Sequence, residues 1–221
     1  MYLIFLSQKI QKLLTKAKYP FVDVHSHFFD MPLRDLNKLT SEMDDLNMAF
    51  IINLSGFRGI FLDQSLENIR NNAPNRIGLF VNIDFENIDD PLFGESSADF
   101  IDSAASNGAM GLKVYKSLGL TSKDNKGNRI AVDDPRLDPV WKACGDNNIP
   151  VLIHSGEPAS FWMPKDRFNE RWLELRQKPR RYRDPKKNPS FEEVLDEQHA
   201  VFKKHPNTIF INAHLGWMGN D

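Results

Sequence analysis

Phe21-Val22-Asp23-Val24-His25-Ser26-His27 is the stretch on which the fold turns. Its period of two puts Val22 and Val24 on one side of an extended chain and Asp23, His25 and His27 on the other. This predicts a short strand, from about Phe21 to Val24, followed by two imidazoles that point into one space. Histidines two apart at a strand end can grip one divalent ion through neutral ring nitrogens, donors that a borderline-soft cation such as zinc favours. Taken alone, a His-x-His pair also serves structural purposes.

Further along the chain, short β-branched and aromatic runs alternate with amphipathic stretches, the rhythm of βα units feeding a parallel sheet. Strands are predicted near Ala49 to Leu54, Ile77 to Ile83, Gly111 to Val114, Pro150 to His154 and Thr208 to Ala213. Helices are predicted at Thr40 to Asn47, Leu66 to Asn72, Ser97 to Asn107, Pro139 to Asn147 and Phe191 to Lys204. Six βα units result. Parallel α/β folds bind ligands at the carboxyl ends of their strands, and the ionisable residues concentrate there.

Two of those strand ends repeat the opening theme. Pro150-Val-Leu-Ile-His154 and Asn212-Ala-His214 each finish in histidine, so four of the six histidines close predicted strands. That placement is hard to assign to core filling. His199 and His205 fall within and at the end of a helix and read as surface or helix-end residues, His205 facing the negative end of the helix dipole. Lys113 sits between Leu112 and Val114 and is expected to point inward, where a buried ammonium needs a carboxylate, a bound anion or a metal-bridging modification. Lys116, just past the strand, is a weaker candidate for the same roles.

Composition narrows the partners. The chain has 221 residues, 41% of them hydrophobic, enough to bury a core as one domain. With 28 Lys and Arg against 30 Asp and Glu, the net charge of -2 offers no field for nucleic acid or an anionic membrane. A small-molecule substrate is the expected partner, and self-association into a homo-oligomer is left open. The single cysteine, Cys144, excludes an internal disulfide and fits a reducing, cytoplasmic setting. It reads as a small core residue rather than a nucleophile. Tyr2-Leu3-Ile4-Phe5-Leu6 is too short to span a bilayer, and residues 1–18 are taken as an N-terminal arm ahead of a domain over 19–221.

Phe21-Val-Asp-Val-His25-Ser-His27, Gly111-Leu-Lys113-Val, Val151-Leu-Ile-His154 and His205-Pro-Asn-Thr-Ile-Phe-Ile-Asn-Ala-His214-Leu-Gly together resemble the amidohydrolase-related (amidohydrolase-2) family of metal-dependent TIM-barrel hydrolases. The resemblance runs from about Tyr19 to the C-terminus. It implies an α/β fold of (β/α)8 TIM-barrel type, here with about six βα units. It also implies that His25, His27 and His154 bind a divalent metal, most simply zinc, and that His214 ligates a second metal or acts as acid and base. The family's eighth-strand aspartate has no counterpart, because the chain ends at Asp221, a few residues beyond the sixth strand. We therefore expect strands seven and eight in a longer parent, and the role is not carried onto Asp221.

The expected activity is hydrolysis of a small amide, ester or lactone, often carboxylate-bearing, by a metal-activated water, with Lys113 holding negative charge. Decarboxylation, which the same family performs, is the alternative in chemistry, and a non-catalytic metal-binding fragment is the alternative in class. Two long connections, Tyr115 to Pro135 and Ser155 to Ser190, are of a length usual for lids or mobile segments. Lys165 to Lys187 carries ten basic and four acidic residues. That insertion reads as a solvated loop or as a lid lending Trp162 and an arginine, Arg167 or Arg171, to an anionic substrate. Glu157, three residues after His154, reads equally as a carboxylate near the metal or as an outward loop residue.

Overall fold

The computed structural model describes residues 16–217; the apolar run Tyr2 to Leu6, most of the expected arm and Asp221 lie outside them. All six expected strands form: β1 (Phe21–Ser26), β2 (Met48–Asn53), β3 (Ile77–Val81), β4 (Gly111–Val114), β5 (Val151–Ile153) and β6 (Phe210–Asn212). The described residues pack as two compact units, one running to Asn82 with Asn107–Met110, the other Ile83–Ser106 with the residues from Gly111 onward.

In the first unit β1, β2 and β3 pair in parallel and in chain order, with Asp23 beside Ile51 and Asn53 beside Leu79. β1 alternates as expected, but its polar side is the more covered one: Val22 and Val24 are 51% and 53% exposed, while Asp23 and His25 are partly buried. β3 is buried at every position, as a strand covered on both faces must be. Helix α1 (Leu36–Leu46) buries Leu36, Leu39 and Met43 along one face. Its first turn is capped by the Asp35 carboxylate, which accepts from the Lys38 amide, and it stops at Asn47 in the left-handed region (φ 62°). Helix α2 (Gly59–Asn72) buries Leu62, Leu66 and Ile69 at helical spacing.

In the second unit β4 pairs with β5 and β5 with β6, again in parallel, with Lys113 beside Leu152 and Ile153 beside Asn212. Helices α3 (Phe93–Ser106), α4 (Asp138–Asp146) and α6 (Phe191–Lys204) belong to this unit. The bounds of α6 match the expectation to the residue. Ser190 caps its start by accepting from Glu193 N–H, Glu192 and Glu193 occupy its positive end, and Lys203 and Lys204 its negative end. His205 follows as the helix stop and bonds Asp138 at 2.9 Å. Cys144 is fully buried, and burial pushes its thiol up to about 12, so the core reading of that residue holds.

Both long connections are fastened down. After β4, Ile130 and Val132 are fully buried, and Arg129 pairs with Glu193 and Glu197 of α6. The Glu197 carboxylate also accepts from Val132 N–H at 2.9 Å. The insertion after β5 contains a short helix, α5 (Trp172–Gln177), and buries Phe161 and Leu175. Asn169 is its hub, its amide donating to Ser160 O at 2.8 Å and Pro164 O at 2.9 Å.

Candidate functional site

In the first unit the end of β1 is shaped by its own side chains. The Asp23 carboxylate accepts from the His25 amide at 2.9 Å and from the Ser26 hydroxyl at 2.5 Å, turning the chain as the strand finishes. The His25 and His27 rings lie 5.4 Å apart in an edge-on arrangement. His27 bonds Ser55 Oγ through Nδ1 at 2.8 Å and stacks on Phe29. Engagement of Nδ1 holds the ring's orientation.

Asn53 and Asn82 were not singled out in the sequence, yet they build this strand end. Asn53, fully buried at the end of β2, accepts from Phe28 N–H at 2.9 Å and donates to Phe28 O at 3.1 Å. Its carbonyl also accepts from Ser55 N–H at 3.1 Å. One amide therefore holds both the segment after His27 and the residue that orients His27. Asn82, just after β3, does the same for the next loop, accepting from Phe57 N–H at 2.9 Å and donating to Leu54 O at 3.2 Å. The available signal was an apolar run closed by asparagine, repeated in Phe50-Ile-Ile-Asn53 and Leu79-Phe-Val-Asn82.

In the second unit His154 and His214 come together, their rings 4.5 Å apart, with Trp217 stacked on His214 at 4.8 Å. Trp217 is itself anchored by donation from Nε1 to Ser155 O at 3.1 Å. His214 opens a run of left-handed residues, His214, Leu215, Gly216 and Trp217, with φ of 55°, 54°, 62° and 58°. Three of these are not glycine, so the turn is strained, and strain of this kind gathers at functional sites. Gly216 cannot be replaced cheaply, because a Cβ there would strike the Asn212 amide. Asn212 is fixed in turn by reciprocal 3.0 Å bonds with buried Gln198.

Lys113 is 2% exposed, as its place in β4 required, and burial lowers its ammonium to about 8. Its Nζ lies 5.7 Å from the Tyr115 ring centre. His214 is held below the ordinary imidazole value, first by burial and then by the charges of Lys113 and Lys116, with Glu157 opposing. Lys113, Lys116 and Glu157 thus each lie within electrostatic reach of His214.

Of the residues assigned to substrate, Lys116 pairs with Glu157 at 2.8 Å. Trp162 donates to Pro189 O at 2.8 Å and packs on Phe191. Arg167 lies over neighbouring Phe168, and Arg171 pairs with Glu170 and Glu174 near the surface of the insertion. The arginine that the insertion delivers to Glu157 is Arg183, at 3.1 Å. Glu157 itself is inward, 4% exposed. Neither residue's role was legible, since Glu157 and Arg183 stand 26 positions apart in an irregular segment.

As donor chemistry, each histidine pair offers two imidazole nitrogens suited to a divalent transition metal. Among the described residues no group of three or more His, Cys, Asp or Glu side chains is gathered to hold a metal ion. No helix of the described residues is long and apolar enough to cross a membrane.

The family described as amidohydrolase (Amidohydro_2) matches residues 22–221. No curated protein matches the chain in sequence. Among solved structures, 2,6-dihydroxybenzoate decarboxylase complexed with 2,6-dihydroxybenzoate aligns with a TM-score of 0.58 at 15% identity, over 90% of this chain and 68% of that one. A 5-carboxyvanillate decarboxylase from Novosphingobium aromaticivorans, complexed with manganese and 4-hydroxy-3-methoxy-5-nitrobenzoic acid, aligns at 0.52 and 13% identity, over 92% of this chain and 68% of that one. An amidohydrolase from Mycobacterium avium subsp. paratuberculosis aligns at 0.50 and 15% identity, over 83% and 49%. Identities this low speak for the fold alone, and the TIM-barrel-like α/β class expected from the sequence is the fold shared.

Proposed function

The chain belongs to the amidohydrolase family, a family of enzymes, and from that premise we propose a metal-dependent hydrolase of a small amide, ester or lactone. The observation that carries the reading is the pairing of imidazoles at strand ends, His25 with His27 and His154 with His214. We assign His25, His27 and His154 as metal ligands. Zinc is the ion that an all-imidazole donor set favours, although one structural neighbour is complexed with manganese. When bound, such an ion supplies Lewis acidity to a carbonyl or carboxylate oxygen.

The chain's own groups do the remaining work. Ser55 fixes the His27 ring, and the turn closed by Gly216 aims His214. His214 takes up or delivers a proton at its ring nitrogen, and Lys113 balances negative charge from its buried position. The fully buried Cys144 fits a reducing compartment, and we place the protein in the cytoplasm.

Decarboxylation is the second reading, favoured by two structural neighbours that are decarboxylases. Turnover assays on the full chain test both. Small lactones and esters are followed by titratable acid, amides by release of the amine, and aromatic acids by carbon dioxide release. The expected result is acid or amine release that a chelator abolishes and zinc restores. Carbon dioxide release would select the second reading, and turnover indifferent to chelation would defeat both.

A further inference from the structure

Lys116 and Arg183 share a single oxygen of one carboxylate. Lys116 Nζ lies 2.8 Å and Arg183 Nη2 3.1 Å from Glu157 Oε1. Glu157 is 4% and Arg183 9% exposed, so these two are largely cut off from water, while Lys116 is half-exposed. Its charges do not balance, because one carboxylate neutralises one of the two cations. Neither Lys116 nor Arg183 has another acidic partner among the described residues.

The hydrogen bonding is incomplete as well. Arg183 Nε is buried and has no acceptor. A guanidinium that served only to fasten the insertion would be expected to spend its planar fork on the carboxylate, since burying an unmet charged donor is unfavourable. Instead one edge reaches Glu157 through Nη2, and the Nε–H remains unspent.

We propose that Lys116 and Arg183, braced by Glu157, form a recognition site for a carboxylate group of a small-molecule ligand. The ligand's carboxylate supplies the missing negative charge and the missing acceptor. Lys116 comes from the segment after β4, Glu157 from the segment after β5, and Arg183 from the insertion. The insertion's contribution to selectivity is thus a buried arginine, while Arg167 and Arg171 stay engaged near its surface. The proposal deepens the enzymatic reading and rests on it only for the identity of the ligand as substrate or product.

Calorimetric titration of the full chain with benzoate, and with benzamide as its uncharged counterpart, tests the site. Both as-purified and chelator-treated protein are used, with metal content measured on the same samples. Wild type is expected to bind benzoate in preference to benzamide in both states. Arg183→Met and Lys116→Met should each weaken benzoate by about tenfold or more, as loss of a charge-assisted hydrogen bond implies. Arg183→Lys should recover part of the loss.

A purely structural Arg183 would instead lower the melting temperature and leave the preference for benzoate over benzamide intact. That outcome overturns the proposal, as does equal binding of the two probes or no binding of benzoate. Should Arg183→Met fail to fold, Lys116→Met on the half-exposed lysine carries the same comparison. Discrimination that persists in the chelator-treated protein would sustain this site independently of the metal assignment, which metal content after zinc loading tests.

Discussion

Ser55 decides how His27 is presented. Its hydroxyl meets Nδ1 at 2.8 Å, and its own amide is held by Asn53, so the ring inherits its orientation from β2 rather than from the strand that carries it. Removing such a supporting partner usually costs a metal site about 10-fold to 100-fold in affinity. Ser55→Ala is therefore expected to weaken zinc binding by that order in chelator competition, with the circular dichroism spectrum unchanged; wild-type affinity would show that Ser55 does not orient a ligand. Alternation in a seven-residue window and histidine at a strand end are local signals, and His25, His27, His154, His214 and inward Lys113 were readable from them. Ser55, Asn53, Glu157 and Arg183 were not, because their importance lies in partners 25 or more positions distant.

At the scale of elements, asparagine at or just after a strand end acts as a clasp. The Asn53 side chain satisfies three backbone groups, Phe28 N–H, Phe28 O and Ser55 N–H. Asn53→Ala strands those groups in a buried setting, where each unmet group costs about 1–3 kcal/mol. We expect a loss of a few kcal/mol in urea unfolding, several-fold that of Asn72→Ala, whose amide makes only exposed contacts within α2. Equal effects would show that the clasp contributes little. The strands were legible because a covered parallel strand must be apolar throughout, as β3 to a good approximation is. Helix starts were less so: α2 begins at Gly59, well before the expected Leu66, and its N-cap Arg58 makes no side-chain capping bond to announce the start. The long connections read as candidate lids, whereas Arg129 with Glu193 and Glu197, and Arg183 with Glu157, tie them down. Such ion pairs carry no periodicity.

For the molecule as a whole, the central proposal is that His25, His27 and His154 serve as ligands of a divalent metal, a reading supported by family membership and by the imidazole pairs at strand ends. Elemental analysis of the purified full chain tests that claim most directly, comparing wild type with the double variant His25→Ala and His27→Ala. The expected result is about one or two divalent ions per wild-type chain, with zinc foremost, and loss of the ion in a double variant that keeps its secondary structure. Wild type that carries no metal after zinc loading, or a double variant with undiminished metal content, would contradict the account.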